Sequence, residues 1–148
     1  MGGPIVWNTE FGPTQEAFVT LSAIDSRSVS QGLLLKVGAG NIANATAITV
    51  TYDARARGVS VSALRANARS WTLYPRRPVT FGNGDRLGAR VTNAGAVQIR
   101  RNGDLVASLV LNAADQAYFN SRGGKIGIST VAASSAFLDD CGGGTTTP

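Results

Sequence analysis

Few residue types that could do chemistry are present in this 148-residue chain. It has no histidine and a single cysteine, Cys141. That removes serine–histidine and cysteine–histidine nucleophile pairs, histidine-ligated zinc and cysteine-rich metal sites. Glycoside hydrolysis needs two carboxylates at a defined separation across a cleft. Glu10 and Glu16 are the only glutamates; their spacing matches no such pair, and both are expected on the surface. Binding chemistry remains. Trp71 and Tyr74 could stack on the apolar faces of sugar rings. Arg69, Arg76 and Arg77 beside them could hydrogen-bond hydroxyl or acidic groups. These five residues form the expected binding rim. Their spacing along one strand sends Trp71 and Tyr74 to opposite faces, so the core is the alternative destination of one ring.

Charge is distributed unevenly. Residues 54–101 hold ten arginines against the single acid Asp85. A basic middle third suits an anionic partner such as an acidic polysaccharide, nucleic acid or membrane surface. The alternative is that these arginines form the wet faces of strands. No apolar run approaches the roughly 20 residues of a membrane span, and the opening residues are not expected to act as a signal peptide. Gly142-Gly143-Gly144-Thr145-Thr146-Thr147-Pro148 has linker composition. The expected organisation is one module over residues 1–141 and the start of a linker over 142–148. Cys141 is expected as a free thiol, with an intermolecular disulfide as the other possibility.

The elements that must position these residues are strands. Arg86 to Leu111 divides into RLGARVT, AVQIR and LVASLVL, separated by Asn93-Ala94-Gly95 and Asn102-Gly103. Asn-Gly supplies the positive φ angles of a two-residue hairpin, and Gly95 suits a longer one. Leu87, Ala89 and Val91 alternate with Arg86, Gly88 and Arg90, which predicts an antiparallel meander with one dry face. Upstream, EAFVTLSAI (16–24), QGLLLKV (31–37), TAITVTYD (46–53), GVSVSALRA (58–66) and SWTLY (70–74) read as strands, with an edge segment at 78–81. KIGIST (125–130) and AFLDD (136–140) close the series, and 112–119 allows one helical turn. Gly38-Ala39-Gly40-Asn41-Ile42-Ala43 has dinucleotide-binding spacing, but a strand rather than a helix follows it, so a turn is expected there. About ten or eleven strands in one domain predict a β-sandwich or barrel.

QEAFVTLSAID, QGLLLKV, DRLGARVTNAGAVQIRRNGDLVAS, GGKIGIST and FLDDCGGG together resemble the laminin G-like, concanavalin A-like jelly-roll modules of large secreted bacterial proteins. Gly123-Gly124-Lys125-Ile126-Gly127 and the paired Asp139-Asp140 occupy the places of that family's closing motifs. The resemblance spans about residues 5–144. It implies an all-β antiparallel sandwich and a non-catalytic, extracellular module that binds carbohydrate or serves adhesion, on a glycan that can be acidic. No specific nucleic-acid partner is expected. The acid-rich Glu-x-Asp-x-x-Glu strand of related enzymes is missing, which leaves an inactive accessory fragment of a glycoside hydrolase as an alternative. Many such jelly rolls hold a structural calcium near their termini. Asp139 and Asp140 are the residues placed for it, and a polar strand end is the other reading. Family members carry strands upstream of the segment that here begins Ile5-Val6-Trp7. The expectation is therefore a sandwich short of N-terminal strands; its exposed edge could pair with another chain, a second copy included, which makes a structural or assembly module the other alternative function.

Overall fold

The computed structural model describes residues 5–28, 30–38, 46–66, 70–131 and 137–146. Among the described residues the elements follow in order: β1 (Ile5–Val6), β2 (Gln15–Ala23), β3 (Ser30–Val37), β4 (Ala47–Asp53), β5 (Gly58–Leu64), β6 (Thr72–Leu73), β7 (Arg77–Pro78), β8 (Asp85–Val91), β9 (Ala96–Arg101), β10 (Asp104–Val110), α1 (Ala113–Phe119), β11 (Lys125–Val131) and β12 (Phe137–Thr145). They build two antiparallel sheets. One has the order β1-β11-β3-β4-β5-β6, with β7 also on β5; the other has the order β10-β9-β8-β2-β12. The all-β sandwich expected from the alternation is the fold observed.

Period-two patterning explains the layering. Ala17, Val19 and Leu21 of β2 and Leu87, Ala89 and Val91 of β8 face Leu33 and Leu35 of β3, Ile48 and Val50 of β4 and Val59 and Val61 of β5 across one shared core. Burying each valine, leucine or isoleucine among them contributes roughly 1.5–3 kcal/mol. The meander forms as its turns demand. Asn102 and Gly103 have φ of 53° and 90°, and Gly95 has φ of 83°. The helical turn also forms, with the Asn112 side chain accepting from the Asp115 amide as its N-cap.

Two expectations need correction. SWTLY pairs only through Thr72 and Leu73, because Pro75 and the change of partner from β6 to β7 interrupt the edge. Gly142–Thr145 is strand rather than linker. It pairs with Gln15–Phe18, and small residues are required there, since a Cβ on Gly143 would lie 2.1 Å from the Glu16 carbonyl oxygen. At the other edge, Ile5 and Val6 pair with Ile128 and Gly127 as the two-residue edge strand β1. The turn expected at 38–43 lies beyond Gly38 outside the described residues.

Candidate functional site

On β4 and β5 the inward residues are Ile48, Val50, Tyr52, Val59, Val61 and Ala63. Their alternates must point to the outer face of the sheet. Register then fixes the rows: Thr49 opposite Ser62, Thr51 opposite Ser60, and Asp53 opposite Gly58. Of these four hydroxyl residues Thr51 is buried, while Thr49, Ser60 and Ser62 are partly exposed, with the Thr49 and Ser62 oxygens 2.6 Å apart. Arg76 closes one end. Its aliphatic stem crosses the space over Gly58 that a Cβ would occupy, and its guanidinium reaches 3.8 Å from the Asp53 carboxylate. A side chain at Gly58 would displace it. Asp53 is also held by the Ala56 amide at 2.9 Å. At the other end Leu73 stands opposite Ser62 and is 79% exposed. Trp71, two residues earlier, is 41% exposed.

The expected binding rim is therefore divided. Trp71 and Arg76 border the hydroxyl face. Tyr74 turns the other way and packs against the core. Its hydroxyl donates to the buried Asp115 carboxylate and accepts from the Asn112 amide at 3.0 Å. Burial first, and the Asp115 hydrogen bond second, push that phenol up to about 12. Arg65 adds an ion pair to the same carboxylate at 2.8 Å. Tyr74 thus ties the β6–β7 edge to α1 with its ring partly buried against the core. Arg77 pairs with Val59 and leaves on the opposite side from Arg76; its Nε is buried without a hydrogen bond. Arg69 lies outside the described residues.

Asp140 sits in a bulge of β12 with φ of 45°, and the Asp139 side chain is outside the described residues. Among the described residues no three acidic, histidine or cysteine side chains come together. Cys141, next in the bulge, is an exposed free thiol.

One buried charge escaped the sequence reasoning. Lys36 ends the run Leu33-Leu34-Leu35 in a bulge between β3 and β11, with φ of 51°. The left-handed turn swings its side chain into the end of the sandwich, where it is 1% exposed. Its Nζ donates to the Phe119 carbonyl at the end of α1, 2.6 Å away, and its amide donates to the Gln15 side chain. Burial pushes the amine down to about 8. A cleft of about 670 Å³ opens beside it, lined in part by Phe11, Tyr118, Phe119 and Arg122. The signal was a lone charge inside an apolar strand.

No family model matches the sequence, and no curated protein matches it. Solved structures do match in fold. The carbohydrate-binding module CBM66 from Bacillus subtilis superposes with a TM-score of 0.67 at 14% identity, over 97% of this chain and 81% of that one. Sheep galectin-11 superposes with a TM-score of 0.58 at 9% identity, over 97% and 96%. The apo Crh5 transglycosylase gives 0.56 at 14% identity, and this chain spans 53% of its length. At these identities the likeness is one of fold: this chain is a jelly-roll β-sandwich of the architecture that carbohydrate-binding modules and galectins share.

Proposed function

We propose that the chain is a non-catalytic glycan-binding module of a secreted bacterial protein, and that the sugar lies on the outer face of β4, β5 and β6. The observation that carries this is the row of Thr49, Ser60 and Ser62, bordered by Arg76 over the buried Asp53 and by the exposed Trp71. Hydroxyls on a rigid sheet can donate to and accept from sugar hydroxyls. The Arg76 fork adds charge-assisted bonds, and Trp71 offers a flat apolar plate. The names of the fold neighbours, a carbohydrate-binding module and galectins, support the same substrate class. The non-catalytic reading is supported by the one described carboxylate of this face, Asp53, being engaged by Arg76 and the Ala56 amide, whereas hydrolysis needs two carboxylates.

A glycan array, followed by titration of the best binder, tests this. Trp71→Ala and Arg76→Ala should each weaken binding at least about tenfold, as expected when a stacking plate or a charged fork is lost. Binding by both variants at wild-type strength would remove the site. Measurable turnover of any bound glycan would remove the non-catalytic reading.

A further inference from the structure

The five-stranded sheet has an outer face of its own, and its chemistry is different. The inward residues of β8 and β9 are Leu87, Ala89, Val91, Val97 and Ile99, so Arg86, Gly88, Arg90, Gln98 and Arg100 point outward. Register sets Phe18, Gly88 and Arg100 in one row across three strands, with Glu16, Arg90 and Gln98 in a row beside it and Arg86 opposite Thr20 on the other side. Three arginines thus surround a glycine. They line a hollow of about 170 Å³ together with Glu16 and Phe18.

Two of the guanidiniums are aimed in advance. Arg86 lies over the Phe18 ring, 4.5 Å from its centre. Arg100 is tethered to the Gly103 carbonyl at 3.3 Å and to the Gln98 side chain at 3.4 Å. Neither forms an ion pair with a carboxylate among the described residues. Of five N–H donors on each guanidinium, those bonds occupy a minority. Glu16, the one acid in the hollow, stands across from Arg90 and offsets one charge of the three. Folding gains nothing from like charges placed side by side on neighbouring strands.

We propose that this hollow is an anion site, built to take the sulfate or carboxylate group of an acidic polysaccharide, and separate from the hydroxyl face on the other sheet. Its size suits one compact oxyanion, and guanidinium forks match oxyanion geometry. A polysaccharide is favoured over a nucleic acid because the hollow has no open aromatic plate for a base. The only ring there, Phe18, is covered by Arg86 and lies against Gly142, whereas single strands bind by stacking. The site is independent of the glycan face, so either can fail alone.

Dextran sulfate, polygalacturonate, neutral dextran and a dT20 oligonucleotide are the probes, titrated at 50 mM and 500 mM NaCl. At least one of the two acidic polysaccharides should bind at low salt and weaken at least about tenfold at high salt, as screening requires; which one binds tells sulfate from carboxylate. Neutral dextran should not bind, and dT20 should bind more weakly. Gly88→Asp places a carboxylate inside the hollow. The contacts a Cβ would meet there, 3.6–4.0 Å, are ordinary, so the fold should persist while binding falls at least about tenfold. Arg86→Gln/Arg100→Gln should do the same without adding a charge. The proposal is overturned if neither acidic polysaccharide binds, if dT20 binds as tightly as they do, or if the folded variants bind them as the wild type does.

Discussion

Lys36 should make the fold more stable as the solution turns alkaline. Its amine titrates near 8 in the folded chain against an ordinary 10.5. Between those values the unfolded chain holds more protons than the folded one, so stability rises with pH across that window. Below 8 both forms are protonated and the full cost of burying the charge is present. Each unit of difference is worth about 1.4 kcal/mol, which puts the whole span on the order of 3 kcal/mol and the step from pH 7 to 9.5 at about 2 kcal/mol. Tyr74 acts in the opposite sense at higher pH. With its phenol raised from 10.0 to about 12, its contribution is complete below 10 and is lost as pH climbs towards 12, so stopping at 9.5 keeps the two apart. The assay is urea unfolding of the wild type and Lys36→Met at pH 7 and 9.5, followed by tryptophan fluorescence. Methionine keeps the length of the side chain and removes the titration. With a slope of about 2 kcal/mol per molar urea, the wild-type midpoint should rise by about 1 M more than that of the variant. Parallel shifts in the two proteins would show that the amine is not held down by burial, and the reasoning from Lys36 would fail.

Other substitutions separate structure from binding. Tyr74→Phe strips one hydrogen bond from the buried Asp115 and the acceptor from the Asn112 amide; it should cost about 1–3 kcal/mol in chemical denaturation. Gly103→Ala, at φ of 90° with open space around it, should cost about 1 kcal/mol from backbone strain alone. Gly143→Ala adds a collision with the Glu16 carbonyl to an unfavourable φ of 154°, so its loss on the same scale should exceed that of Gly103→Ala. Trp71→Ala removes an exposed ring and should leave stability within about 0.5 kcal/mol, whatever it does to sugar binding.

What the sequence disclosed follows from what repeats locally. Alternation in EAFVTLSA, AITVTYD and RLGARV is enforced by every second residue meeting the core, so strand positions and the buried set were legible almost to the residue. Edges were not. Thr72–Leu73 and Arg77–Pro78 are short because a proline and a change of register interrupt them, and edge pairing leaves little periodic trace. Gly142–Thr145 looked like linker for the converse reason. A strand made of glycines carries no alternation, and it is specified only by the close approach of β2.

The candidate sites depended on a fact that no local window contains, namely which sheet each strand joins. Ten arginines between 54 and 101 look like one basic region in the sequence. The chain changes sheets between β7 and β8, and the region comes apart there. Arg76 stays on the seven-stranded sheet and lies over Gly58 beside Asp53, while Arg65 goes to Asp115 of α1. Arg86, Arg90 and Arg100 gather on the far side of the sandwich around Gly88. Alternation alone accounts for each of them being wet, as the strand pattern suggested. It does not account for three of them meeting over the one residue in their midst that has no side chain. That coincidence is set by the register of β2, β8 and β9, and a one-residue slip of β9 against β8 would turn Arg100 towards the core and dissolve it.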